Sequence, residues 1–215
     1  MIQETEERAQ FMLGMRARGI RDLALLRALE RAPRALFMPQ RYADMAARDI
    51  ALPIGFGQTS TPPSVVATMM QALEIRREHR VLEIGSGTGY ASSLLAQLAA
   101  RVHSLERSQG LAIEAEARLR AFGIANVELV WAEASGLSAT PRRYDRVCVH
   151  ALIDAEAPGF LDLLTDDGIM VGVVASGEGQ IVTTFRRSTG GSWASKGHGP
   201  ARAYLPLVAG LACAA

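Results

Sequence analysis

The sequence predicts an α/β protein: a mostly parallel central sheet with helices on both faces, an antiparallel C-terminal edge, and a group of helices ahead of it. Three observations carry this. From Arg80 onward, short β-rich runs alternate with helical stretches, the pattern of parallel strands joined by helical crossovers. The first of these runs passes through three closely spaced glycines, VLEIGSGTGY, directly into a helix. After Val174 two further β-rich runs follow with no helical stretch between them, which suits an edge hairpin on an otherwise parallel sheet.

The elements follow in order. Phe11–Met15 and Leu23–Leu29 carry apolar residues at helical spacing, with Asp22 placed to cap the second helix. Pro33 ends that helix, and a short helical turn is expected between Pro33 and Pro39. Residues 49–61 are rich in Gly and Pro and are expected to be irregular. Pro62 and Pro63 suit the first turn of a helix reaching about Leu73, where a missing amide donor has no consequence. Strands are expected at RVLEI, RVHSLE, VELVWA, YDRVCVH and GIMVGVVA, and helices at Tyr90–Leu98, Gly110–Phe122 and Pro158–Leu164. IVTTFRR and ARAYLPLVAG are expected to be the closing pair of strands.

The bulk properties narrow the function. With 215 residues, 49% hydrophobic and 21% charged, the chain fits one domain with an ordinary core. Residues 1–79 form its helical and substrate-loop region, and residues 80–215 its ligand-binding core. A net charge of +1, with arginines spread among acids, calls for neither nucleic acid nor a membrane surface. Two cysteines, Cys148 and Cys213, lack metal-ligand spacing, so no metal is expected and a reduced, cytoplasmic setting is. The opening MIQETEERAQ is too acidic for a secretory signal. Nothing here indicates an oligomeric state.

The glycine turn carries the chemistry. Glycine is needed where a chain turns sharply and where backbone must approach a ligand. Gly85, Gly87 and Gly89 are spaced G-x-G-x-G with Ser86 between the first two, whereas a dinucleotide site wants G-x-G-x-x-G to cradle a pyrophosphate. The spacing here, with Glu83 two residues upstream, suits an amino-acid end carrying an amine and a sulfonium, as in S-adenosylmethionine. Glu106 ends the next strand, where an acid accepts hydrogen bonds from ribose hydroxyls. Glu133 follows the third strand and is expected beside an adenine amino group. A nicotinamide dehydrogenase fits worse, since neither the spacing nor a second half supports it.

These residues resemble the protein-L-isoaspartate (D-aspartate) O-methyltransferase family over essentially the whole chain. RGIRDLALLRALERAPRALFMP is similar to the family's opening helices and its Val-Pro-Arg-x-x-Phe-Val-Pro segment, and LPIGFGQTSTP to its Leu-Pro-Ile-Gly-x-Gly-Gln-Thr-Ile-Ser-x-Pro segment. LEIGSGTGY with the acid after strand two resembles its cofactor motif. The resemblance implies a Rossmann-like S-adenosylmethionine-dependent methyltransferase fold. It implies methylation of the free carboxylate of isoaspartyl residues in damaged proteins, the ester then collapsing to a succinimide. It places the reacting carboxylate against Thr61, with Gln58, Thr59, His150 and Ala151 bordering the substrate. Ser60, where the family has an apolar residue, is a second hydroxyl to which that role could shift, though the register of Pro63 favours Thr61.

Departures are visible at four places. Thr61 stands where the family has serine, and Ala132–Glu133–Ala134 replaces Gly-Asp-Gly. His150–Ala151–Leu152–Ile153–Asp154 replaces a Thr-Ala-Ala-Pro type loop, and VGVVASGEG lacks the proline of the family's Val-Pro-Val-Gly turn, while YLPLVAG still resembles its Phe-Val-Pro-Leu ending. They leave open a methyltransferase of the same build acting on another peptide or a small molecule, or a non-catalytic adenosyl-ligand-binding homologue. His150 is either a base or grip for an acidic substrate, or a hydrogen-bonded wall residue.

Overall fold

Asp22 starts its helix as expected: its Oδ1 accepts the amides of Ala24 at 2.8 Å and Leu25 at 3.0 Å, satisfying donors that the first turn leaves free. A computed structural model describes residues 2–134, 137, 143–154, 159–177, 179–187, 193–202 and 204–213. Helix α1 spans Ile2–Ala17 and α2 Leu23–Arg31. Pro33 and Pro39 each precede a 3-10 turn, Arg34–Phe37 and Gln40–Met45.

The segment 49–61 corrects an expectation, because it contains regular structure. Strand β1, Leu52–Gly55, pairs antiparallel with β2, Gln58–Ser60. The Gly and Pro that suggested irregularity make the turn instead. Gly55, Phe56 and Gly57 all have positive φ, at 98°, 51° and 68°, which two glycines permit at little strain. Helix α3 follows at Pro63–Ala72.

The main sheet is built from β3 (Arg80–Ile84), β4 (Arg101–Glu106), β5 (Val127–Trp131), β6 (Tyr144–Ile153), β7 (Leu164–Ser176), β8 (Gly179–Arg187) and β9 (Trp193–Ala201). Helix α4, Tyr90–Leu98, joins β3 to β4, and α5, Gln109–Ala121, joins β4 to β5. The strand order is β5-β4-β3-β6-β7-β8-β9; the first five run parallel and the last two antiparallel.

Two further expectations change. The helix expected at Pro158–Leu164 is a 3-10 turn at Leu161–Leu163, with β7 already beginning at Leu164; Pro158 lies outside the described residues. The run from Ala201 is not the last strand: β9 ends there, and residues 204–213 continue as an extended tail. Pro206 has no amide to give a ladder, so the tail makes only isolated bridges, Leu152 to Pro206 and Ser108 to Ala212.

Alternation along the strands divides the core. Val81 and Val102 join the cluster of α2, α4 and α5, while Leu82, Ile84, Leu105, Val147 and Val149 join Tyr144, Leu161 and Met170. A third cluster sets Met69 and Leu73 of α3 against Cys148, Val171 and Val182. Each such leucine or valine contributes roughly 1.5–3 kcal/mol by burial. The strand order reverses at β3, whose neighbours β4 and β6 lead off in opposite directions. A crevice therefore opens at the carboxyl ends of these strands.

Candidate active site

The floor of the crevice is the glycine turn, within a cleft of about 460 Å³. Leaving β3, the amides of Gly85 and Ser86 both bond Leu105 O, at 2.8 and 3.3 Å, which bends the chain under the cleft. Gly85 and Gly87 line it with φ of +89° and +54°, and a Cβ on Gly87 would lie 3.3 Å from Ile54 Cδ1. Gly89 corrects an expectation: it is not a lining residue. A Cβ there would lie 3.3 Å from both Cβ and O of Ala115, so this glycine lets α4 pack against α5.

The three acids behave differently. Glu106 lines the cleft with its carboxylate held by two amides, Gly87 N at 2.9 Å and Ser108 N at 2.8 Å. Burial pushes its pKa up, against the opposing pull of those two bonds. Glu133 also lines the cleft, and one of its oxygens accepts the amide of Gly210. Glu83 is a correction. It sits inside the sheet, in register with Ser104 and Cys148, and is fully buried outside the cleft. Its Oε2 accepts from Ser92 at 2.5 Å and Ser104 at 2.6 Å, and its Oε1 lies 3.4 Å from His150 Nε2. The expected direct contact with a ligand amine is therefore replaced by contact with His150.

The opposite wall is Gln58–Thr61, all four residues lining the cleft. Buried Arg34 holds this wall. Its Nη2 donates to Ser60 Oγ, to Thr61 O at 3.1 Å and to Ile50 O at 3.1 Å, and burial lowers its pKa to about 10. Thr61 Oγ1 donates to Tyr204 OH at 3.0 Å. His150 and Ala151 line the cleft at the end of β6, where His150 Nε2 is 3.5 Å from Cys148 Sγ. Burial opposes a charged imidazole, but Cys148 and then Glu83 outweigh it and hold the pKa well above 6.5. Leu152 turns away from the cleft and packs against the core cluster of Met69 and Cys148, so its bulk does not narrow the site.

Several lining residues were not anticipated. The tail contributes Tyr204, Leu205, Pro206, Leu207 and Val208, anchored by Leu152 N to Leu205 O at 2.9 Å and Ala212 N to Arg107 O at 2.8 Å. A strand would have paired with the sheet edge, whereas this segment lies along the cleft. Phe56, at the hairpin tip, lies over Gly110 so closely that a Cβ on Gly110 would meet its ring at 2.0 Å. Ser86, Tyr90 and Ser108 line the cleft with buried hydroxyls that have no hydrogen-bond partner among the described residues. Buried hydroxyls are expensive to leave unpaired, so these three point to a polar ligand.

Comparison with known proteins agrees with this geometry. The family described as protein-L-isoaspartate(D-aspartate) O-methyltransferase matches residues 6–212. Protein-L-isoaspartate O-methyltransferase of Azorhizobium caulinodans is 40% identical over 213 residues, covering 97% of this chain and 96% of that one. The protein of the same name from Dinoroseobacter shibae is 35% identical, covering 99% and 98%. A Plasmodium falciparum structure in complex with S-adenosyl-L-homocysteine superposes with a TM-score of 0.77 at 17% identity, covering 93% of this chain and 97% of that one, a likeness of fold.

Proposed function

Starting from a chain that belongs to the protein-L-isoaspartate(D-aspartate) O-methyltransferase family, we propose that it methylates the side carboxylate of isoaspartyl residues in proteins, with S-adenosylmethionine as donor. One observation carries this reading: the glycine turn with Glu106, and the Gln58–Thr61 segment, face each other across a single cleft.

The residues present fit the donor. Gly85 and Gly87 leave a cradle without side chains, and the unpaired hydroxyls of Ser86, Tyr90 and Ser108 await polar partners. Glu106, already oriented by two amides, offers its remaining lone pairs to ribose hydroxyls. Glu133, fixed by its bond to Gly210, lines the same cleft where an adenine amino group would lie. When bound, the donor supplies a methyl group on a positively charged sulfur.

An isoaspartyl carboxylate is ionised at neutral pH, so no residue need remove a proton. The chain's task is alignment and exclusion of water. Ser60 and Thr61, fixed by Arg34, hold the carboxylate, while Gln58, Thr59 and Ala151 border its peptide. A charged His150 draws the anion in, and Glu83 acts through His150 by keeping it charged. With the donor in place, the carboxylate oxygen so held would take its methyl group, giving a methyl ester and releasing the demethylated thioether.

Among the described residues no helix is long and apolar enough to cross a membrane. Cytoplasmic residence is part of the same reading, supported by two unpaired cysteines, Cys148 and Cys213. The deciding experiment is transfer of labelled methyl to an isoaspartyl peptide beside its aspartyl twin. Ester on the isoaspartyl peptide alone is expected; donor binding without any ester on it would overturn the proposal.

A further inference from the structure

Two of the departures from the family's motifs, Thr61 for serine and His150 for threonine, line the cleft together with Tyr204. The three are far apart in sequence, yet all line one cleft and Thr61 Oγ1 reaches Tyr204 OH at 3.0 Å. Tyr204 is held from behind. Gln180 of β8 clamps its backbone at two points, donating to Tyr204 O at 2.9 Å and accepting from Tyr204 N at 3.0 Å. The phenol in turn donates to Met69 Sδ at 3.3 Å.

We propose that Tyr204 is a positioning residue, whose hydroxyl directs the single O–H bond of Thr61 at the substrate carboxylate. This rests on the carboxylate-methylation reading above.

A threonine hydroxyl has one proton to give and lone pairs that can accept. With no carboxylate present, Thr61 gives its proton to Tyr204, and Tyr204 gives its own to a thioether, a weak acceptor. A carboxylate is a far stronger acceptor. As it enters, Thr61 turns its proton toward it, and Tyr204 leaves the sulfur to donate to Thr61. Little is lost at Met69, and the two successive bonds polarise one another. Burial raises the phenol's pKa, so Tyr204 keeps the proton that this exchange requires. The extra methyl of Thr61 restricts its rotation, which makes a directing partner useful.

The test is steady-state transfer from S-adenosylmethionine to an isoaspartyl peptide. Tyr204→Phe should lower kcat about tenfold, from one lost hydrogen bond in a charged site, with donor Kd unchanged. The discriminating arm is a double-mutant cycle with Thr61→Val. If Tyr204 works through Thr61, the double variant is no slower than Thr61→Val alone. Multiplicative losses, or an undiminished kcat in Tyr204→Phe, would overturn the inference. Met69→Leu removes the competing acceptor and should turn over at least as fast as the unaltered protein. A tenfold loss there would transfer the importance of the phenol to the sulfur and overturn the inference too. No transfer by the unaltered protein would instead remove the carboxylate reading on which this stands.

Discussion

The amide of Gly87 donates to Glu106 Oε2 at 2.9 Å, tying the glycine turn to the acid that ends the neighbouring strand. The acid is aimed before any ligand arrives. Glu106→Ala should therefore weaken donor binding by about 1.5–3 kcal/mol, the range for hydrogen bonds to a charged group. Calorimetry with S-adenosylmethionine checks this, and an unchanged Kd would remove Glu106 from the ribose. Because burial raises the Glu106 pKa, donor affinity should begin to fall on acidification at a pH above the ordinary carboxylate value of about 4.3. For folding the sign is different: the native state holds this proton more tightly than the unfolded chain. Glu106 therefore opposes folding above its native pKa, and that opposition is relieved as pH falls.

His150 has a linkage of the same sign, but as a gain in the charged form rather than a penalty on it. Its native pKa is raised, so its contribution to stability is complete below about 6.5 and lost as pH rises through the native value. The unaltered protein should lose denaturant resistance between slightly acid and alkaline pH more steeply than His150→Asn. Equal slopes would mean that the ring is not held charged by Glu83 and Cys148.

Gly87 and Gly89 separate ligand from scaffold. Gly89→Ala places a Cβ at φ +85° against Ala115 and should destabilise by about 1–3 kcal/mol, leaving the donor affinity of the folded fraction nearly intact. Gly87→Ala, at φ +54°, carries backbone strain too, but its Cβ enters the cleft against Ile54, so its larger loss should be in donor affinity. Paired thermal melts and donor titrations would show the two variants exchanging rank.

Gly110 accommodates the ring of Phe56 only because it has no side chain. Gly110→Val should displace the hairpin tip and weaken donor binding by about 1 kcal/mol, through lost apolar cover. Phe56→Ala should reproduce the effect. Full affinity in both would mean that the hairpin tip has no part in donor retention.

The parallel half of the fold was legible because each of its strands is followed by its own local signal. Arg80–Ile84, the glycines and Tyr90–Leu98 form one continuous pattern, and Glu106 falls where a crevice acid belongs. Legibility failed where partners are distant. Glu83 looked like a ligand two residues from Gly85, but register puts it between Ser104 and Cys148, below the crevice. Gly89 looked like a third ligand glycine, but its need is set by Ala115 on another helix. The proline and glycine of 49–61 read as disorder of pattern because the pairing of Leu52 with Ser60 is invisible along the chain. Tyr204 and Arg34 escaped for the same reason: what each does is decided by a hydroxyl or carbonyl many residues away.

The tail anchored at Ala212 has a consequence for how the protein comes into being. One wall of the cleft comes from residues 204–208, and the pairing of Ala212 with Arg107 joins the end of the described chain to its middle. Contacts so distant in sequence form late, after the loop they close has been ordered. During synthesis, then, the glycine turn and Glu106 can be in place on a nascent chain that still lacks this wall. The cleft is complete only once residues 204–212 have docked against Leu152 and Arg107.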